Sequence, residues 1–196
     1  GRAVRLRNAE VISDEIIRLH KKYNITDFFF VDDIFNINYQ RANDIFDKII
    51  NSKIKMRFHF PNGLRGDLLD KNLIDRMIRA GVVSVALAIE TPSPRLQKYI
   101  NKNVVLPKLK RNIDYACDKG MMVRLFFMYG FPTETEEEVE NTILYMKQFK
   151  KCVIPYFFAA KYYKNSKMYS LALEEGFSAE ELEKSKKGLY NEIQFC

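Results

Sequence analysis

The sequence predicts an α/β protein built on one parallel sheet, and three observations carry that expectation. Apolar, β-branched or aromatic runs begin near residues 27, 54, 82, 121 and 153. Between them, apolar residues recur at the three- and four-residue spacing of an amphipathic helix. The runs themselves are apolar at successive positions, as in strands buried on both faces, and strict alternation with helices implies parallel, right-handed crossovers.

The chain opens with a helix. Asn8 suits its N-cap, and Ile12, Ile16, Leu19 and Tyr23 make one apolar face up to Asn24. Asp27 to Val31 is predicted as a buried strand stopping at Asp32-Asp33. Ala42, Ile45, Phe46, Ile49 and Ile50 stripe a helix over 39–52, and Ile54 to Phe60 is the next strand, ending in Pro61-Asn62-Gly63. Asp70 caps a helix carrying Leu73, Ile74 and Met77, which Gly81 closes. The following strand buries Val82, Val83, Val85, Leu87 and Ile89 and delivers Glu90 at its last position. Thr91-Pro92-Ser93-Pro94 then turns the chain into a basic stretch ending at Lys102.

Pro107 suits the first turn of a helix with Leu109, Ile113, Ala116 and Cys117 inward and Gly120 just past its end. Met121 to Met128 is a strand, with Met121 and Met122 assigned to the core, leading into Tyr129-Gly130-Phe131-Pro132-Thr133. Thr135 and Glu138 form a capping box for a helix with Val139, Ile143, Met146 and Phe149 inward. Val153 to Ala160 is the last clear strand, Lys167 to Glu175 a helix closed by Gly176, and the charged tail to Cys196 has room for one short helix. An alternating barrel begins with a strand. Here that strand is expected either as a weak one over Gly1 to Leu6 or upstream of Gly1.

With 196 residues, 47% hydrophobic and 29% charged, the chain suits one globular domain over 1–196 rather than a disordered segment. No apolar run approaches the ~20 residues that cross a bilayer. The first ten residues lack the apolar core of a secretory signal, so a cytoplasmic location without a membrane partner is expected. A net charge of +7 raises a nucleic-acid partner. Its densest patches, Arg2-Arg5-Arg7, Lys108-Lys110-Arg111 and Lys184-Lys186-Lys187, are read instead as solvated faces, and nucleic acid is not expected.

Cys117, Cys152 and Cys196 stand 35 and 44 residues apart, which fits no local metal-ligand signature, and the odd count argues against a disulfide framework. Cys117 and Cys152 are read as buried thiols. His20 and His59 are too isolated to form a ligand pair, and no Ser-His-Asp set is legible.

In a parallel sheet all strands end on one edge, where chemistry gathers. The polar residues there are Asp32 and Asp33, Asn62 and Arg65, Glu90, Gly130 and Thr133, and Lys161 and Tyr162. Acids, an amide, bases and glycine backbone together suit a zwitterionic ligand with hydroxyls and base edges, such as a nucleoside joined to an amino acid.

The series FFFVDDIFN (28–36), NGLRGDLLD (62–70), AGVVSVALAIETPSPRLQKYINK (80–102) and FMYGFPTET (127–135) resembles the radical S-adenosylmethionine (SAM) superfamily. The branch it looks most like often carries an upstream cobalamin-binding domain. The resemblance runs from about Arg5 to Gly176 and implies a partial (β/α)6 TIM-like barrel with its first strand missing or incomplete.

It also implies roles. Asp32 and Asp33 fall where relatives hold the methionyl amino group of SAM, and Asn62 and Arg65 where they contact SAM or substrate. Glu90 matches a position that reaches SAM hydroxyls or its amino-acid portion, and Lys102 one that neutralises its carboxylate. Met128 and Gly130 lie in the segment bordering adenine, and Lys161-Tyr162-Tyr163-Lys164 lines the substrate side, though a solvated strand end is the expectation there. No catalytic residue and no metal ligand is assigned.

The implied cofactors are SAM and a 4Fe-4S cluster, with cobalamin in the branch named, and the implied partners are a small-molecule substrate and an electron donor such as flavodoxin or ferredoxin. The family's CxxxCxxC motif is absent, and family spacing places it shortly before Gly1. Two other classes stay open: a cluster-free binding module for a nucleotide, RNA or protein, and a lyase or hydrolase using a metal at Asp32-Asp33.

Overall fold

The structure, a computed structural model, describes residues 5–149, 151 and 153–187. Five parallel strands, β1 (Asp27–Phe29), β2 (Arg57–Leu64), β3 (Val82–Glu90), β4 (Met122–Tyr129) and β5 (Val153–Ala159), form one sheet in chain order. The helices are α1 (Ala9–Tyr23), α2 (Tyr39–Asn51), α3 (Lys71–Ala80), α4 (Pro94–Tyr99), α5 (Leu106–Asp118), α6 (Glu136–Met146), α7 (Lys167–Glu174) and α8 (Ala179–Lys187). The chain divides into two compact units. The first comprises Gly1–Ile89, Val104–Phe126 and Lys147–Tyr156; the second comprises Glu90–Asn103, Phe127–Met146 and Phe157–Cys196.

In the first unit, the predicted caps Asn8 and Asp70, and Asn38, which was not predicted, set the helix limits. Asn8 accepts from the Glu10 N–H, Asn38 from Arg41 and Asp70 from Leu73. Gly81 ends α3 at φ 101°, where an added Cβ would lie 2.1 Å from the Met56 carbonyl oxygen. Only glycine fits a left-handed residue pressed against backbone in this way. The core beneath is aromatic. Phe30 stacks on Phe60 at 4.9 Å, while Phe35 meets Phe60 at 4.9 Å and Phe46 of α2 at 5.6 Å. Phe35, Phe46, Phe58 and Phe60 are each at most 2% exposed, and burial at this level contributes roughly 1.5–3 kcal/mol per side chain.

The second unit has its own small core of Ala160, Tyr162, Ala172 and Leu182, against which Met128, Met168 and Tyr169 pack. Thr135 and Glu138 form the predicted capping box, with Thr135 N–H to Glu138 at 3.1 Å and the return bond at 3.3 Å.

Several expectations are corrected. The strand after α2 starts at Arg57 and runs through Pro61-Asn62-Gly63 to Leu64. Its register slips between Phe60 and Leu64, and a bulge admits the proline that has no N–H to give the ladder. β1 is three residues long, and Phe29 and Val31 are 62% and 65% exposed because β1 is an edge strand with one open face. Val83 and Met122 are exposed rather than core, each at the beginning of its strand. Tyr23 is exposed at the last turn of α1, and Val139 and Ile143 are exposed on α6, where Thr142 is the buried residue. β5 is largely open, with Ile154, Tyr156 and Phe158 exposed.

The basic stretch after β3 contains α4, capped by Ser93 and started by Pro94, a short helix the charge pattern hid. Arg5 and Leu6 are not in a strand, whereas Gly1 to Val4, Cys152 and Cys196 lie outside the described residues. The tail's expected short helix is α8, and residues 188–196 lie outside the described part.

Candidate functional site

In the first unit, the segment after β1 and the last part of β2 with the residues just after it are tied to one another by side chains acting on backbone. Asn62 is exposed, and its Nδ2 donates to the Val31 carbonyl at 2.8 Å. Asn36 pairs with Arg65 as a strand residue would: its Nδ2 donates to the Arg65 carbonyl at 2.8 Å, and its Oδ1 accepts the Arg65 N–H at 3.0 Å. The Arg65 guanidinium forks onto Asp67 at 2.8 and 2.7 Å. Burial works to raise the Asp67 carboxyl, but Arg65 and the Val105 N–H outweigh it and hold the group below the usual carboxylate range. From α5, Asn112 donates to the Gly66 and Leu69 carbonyls at 2.9 and 2.7 Å.

Asp32 is half-buried and Asp33 exposed. Arg41 of α2 brings its Nη2 to 3.7 Å from Asp32, while its Nε donates to the Arg7 carbonyl at 2.9 Å. Among the described residues no group of three His, Cys, Asp or Glu could hold a metal ion, so the metal-dependent reading of Asp32-Asp33 finds no third ligand there.

In the second unit, Glu90 ends β3 at φ 66° and its carboxylate meets Lys102 Nζ at 2.8 Å. Their side chains are 17% and 26% exposed, so the pair is neither buried nor free in water. Gly130, at φ 80°, turns the chain after β4. Its N–H and that of Phe131 both point to Glu134 Oε2, and its carbonyl accepts the Tyr162 hydroxyl. Burial raises the Glu134 carboxyl and drives the Tyr162 phenol up to about 12, with Tyr99 and Glu134 adding to the latter. Tyr162, expected at a solvated strand end, is instead buried with Met128 against the small core.

Ser93 donates to Glu138 at 2.6 Å, and Arg95 reaches both Glu138 and Thr133. Arg95 is the main reason the Glu138 carboxyl falls to about 2.

Of the predicted residues, the structure brings Glu90 and Lys102 into direct contact. It joins Arg65 to Asp67, Asp32 to Arg41 and Gly130 to Tyr162. Arg41, Asn36, Asp67, Arg95 and Glu138 were not singled out as site residues. Arg65 and Asp67 stand two apart and carry a readable signal. Arg95 and Glu138 are 43 residues apart and carry none.

The parallel sheet with charged and glycine residues near its strand ends is of the α/β class. A family model described as the radical SAM superfamily matches residues 1–146. The chain belongs to the radical SAM superfamily. An uncharacterized methyltransferase of Pyrococcus horikoshii is 30% identical over 148 residues, 76% of this chain and 32% of that protein. The cytidylyl-2-hydroxyethylphosphonate methyltransferase of Streptomyces wedmorensis is 28% identical over 186 residues, 90% of this chain and 34% of that protein. The chain thus spans about a third of the length of these relatives.

Among solved structures, the radical SAM methyltransferase TsrM of Kitasatospora setae, with cobalamin and a 4Fe-4S cluster bound, has TM-score 0.70 at 17% identity. That match covers 78% of this chain and 31% of TsrM. The cobalamin-dependent SAM radical enzyme OxsB has TM-score 0.58 at 17% identity, covering 93% and 28%. These likenesses match the α/β fold, and the family match does not favour the cluster-free binding module.

The family works with SAM and a 4Fe-4S cluster. The charges of Glu90 and Lys102 suit a zwitterion: a carboxylate for an ammonium group and a cation for a carboxylate. The cluster does not fit the residues present. Cys117 is buried on α5, and the three cysteines are 35 and 44 residues apart, far from the CxxxCxxC spacing. Among the described residues no helix is long and apolar enough to cross a membrane.

Proposed function

We propose that this chain is the SAM-holding part of a radical SAM enzyme that acts on a small-molecule substrate. In this family SAM and a reduced 4Fe-4S cluster would together supply the radical chemistry, and the cysteines of this chain do not fit that cluster. In this reading the chain's own residues bind and orient SAM. Lys102 faces its carboxylate, Glu90 its ammonium or hydroxyls, Asp32, Asp33 and Asn62 its methionyl end, and Met128 and Gly130 its adenine, with Arg65 positioning the loop after β2. All of residues 1–196 belong to this one functional domain. The observation that carries the reading is the Glu90–Lys102 pair at 2.8 Å, opposite charges presented together where a strand ends.

Two relatives are methyltransferases by name, and TsrM and OxsB bear cobalamin in theirs, which supports methyl transfer with cobalamin as the reaction subtype. A flavodoxin- or ferredoxin-type donor in the cytoplasm would deliver the electron. Equilibrium dialysis of the full chain against SAM tests the core of this. Saturable binding is expected, weakened on the order of tenfold by Lys102→Ala, the loss of one charge-assisted contact. No binding, or wild-type binding by both Lys102→Ala and Glu90→Ala, would overturn it.

A further inference from the structure

Four adjacent strands of the first unit place Phe29, His59, Ser84 and Arg124 in one row across the sheet. Phe29 and His59 are register partners on β1 and β2, with rings stacked at 4.6 Å. His59 and Ser84 are register partners on β2 and β3, with Nδ1 2.8 Å from Oγ. Arg124 of β4 donates through Nη2 to the same Oγ at 3.1 Å. The neighbours of His59 and Arg124 along their strands, Phe58, Phe60, Val123 and Leu125, are all at most 1% exposed. Phe60 meets Phe46 of α2, so the row lies on the sheet face opposite that helix.

Ser84 Oγ accepts from Arg124 Nη2 and shares a hydrogen bond with His59 Nδ1, while His59 Nε2 lies 3.6 Å from Asp27 Oδ1. Asp27 is already forked by Arg57 at 2.8 and 2.9 Å, so its charge is offset at the far end of the row. Arg124 has no such partner. No carboxylate among the described residues forms an ion pair with it, and its Nε is buried without an acceptor. Arg124 is half-buried, so its unpaired charge is only partly screened by water and its outer Nη donors are open to a ligand. On the side toward β5, Phe126 and the exposed Tyr156 meet edge to face at 5.8 Å.

We propose that Arg124, held in place by Ser84 and through it by His59, is an oxyanion-binding residue. It would take the carboxylate or phosphate group of a small-molecule substrate on the sheet face opposite α2. An end-on oxyanion accepts from Nη1 and from the Nη2 proton that Ser84 leaves free, which a carboxylate or a phosphate does equally well. Naming the anion a substrate group rests on the function proposed above; the binding site itself does not.

Calorimetric titration of the full chain with inorganic phosphate and with benzoate tests the site and separates the two anion classes. Saturable binding of at least one probe is expected, weakened about tenfold or more by Arg124→Gln, and several-fold by Ser84→Ala through loss of positioning. Arg124→Lys, which keeps the charge and loses the fork, should fall between wild type and Arg124→Gln. SAM binding measured on the same variants should stay unchanged. Equal probe binding by wild type and Arg124→Gln, or no binding of either probe to a cooperatively folded wild type, overturns the proposal. If SAM fails to bind while the probes bind through Arg124, the subsite stands and the SAM reading falls; the reverse pattern removes only the subsite. Should Arg124→Gln lose its cooperative melting transition, the ordering of Ser84→Ala and Arg124→Lys decides the matter, and wild-type affinity in both overturns it.

Discussion

Glu90 holds Lys102 at 2.8 Å from a backbone conformation, φ 66°, that a residue with a Cβ adopts at a cost. That cost is about 1–2 kcal/mol for an L-residue and is absent for glycine. Glu90→Gly and Glu90→Ala both lose the carboxylate, but only the alanine keeps the strained backbone. Glu90→Gly is therefore expected to be the more stable of the two by ~1 kcal/mol in urea denaturation. Equal midpoints would mean that the backbone at this position is relaxed.

Gly81 is a stricter case. A methyl group there would meet the Met56 carbonyl oxygen at 2.1 Å, and φ is 101°. Neither atom belongs to a flexible side chain, so Gly81→Ala has to move α3 away from β2. A loss on the order of 2–4 kcal/mol is expected, visible as a lower denaturation midpoint with the slope unchanged.

Arg41 joins three segments that are far apart in sequence: the Arg7 carbonyl, the Phe35 carbonyl and the Asp32 carboxylate. Its side chain is 9% exposed and also lies over the Phe35 ring at 5.4 Å. Arg41→Met keeps the packing but leaves two carbonyls without a donor, at an expected cost of about 1–3 kcal/mol. Hydrogen exchange should speed up over residues 30–38 more than over α3. Uniform acceleration would argue against a local role.

Acid should find the second unit through Glu138. Arg95, with Ser93 and the Thr135 N–H, lowers its carboxyl from 4.5 to about 2. A depressed carboxyl contributes stability that is complete above the unfolded value, and that stability is lost as pH falls through the folded one. Stability should therefore decline between about pH 4.5 and pH 2, and Arg95→Gln should flatten part of that decline. Asp27, lowered from 3.8 to about 2 mainly by Arg57, titrates in the same window, and it and the lowered Asp67 contribute to the rest of the decline. A profile identical in Arg95→Gln would exclude the pairing.

The alternation of the fold was legible because apolar periodicity and caps are local signals. Asn8, Asp70, Gly81 and the Thr135–Glu138 box act within four residues of themselves. The exposure of Phe29, Val31 and Tyr156 was not legible, because a strand's open face depends on its place in the sheet. The candidate site divides in the same way. Glu90 and Lys102 are twelve residues apart in one motif, and their meeting could be anticipated. The meeting of His59 with Ser84 and Arg124 depends on β-register across three strands, which no spacing along the chain encodes.

The turn at Gly130 bears on selectivity. Its N–H and that of Phe131 are engaged by Glu134, while the Gly130 carbonyl takes one donor, Tyr162, and keeps a second lone pair. A keto group approaching these two residues finds both N–H groups taken, whereas an amino group still finds an acceptor. In the reading proposed for SAM, the turn would favour a base edge that donates over one that accepts, and Glu134 sets that polarity by occupying both N–H groups.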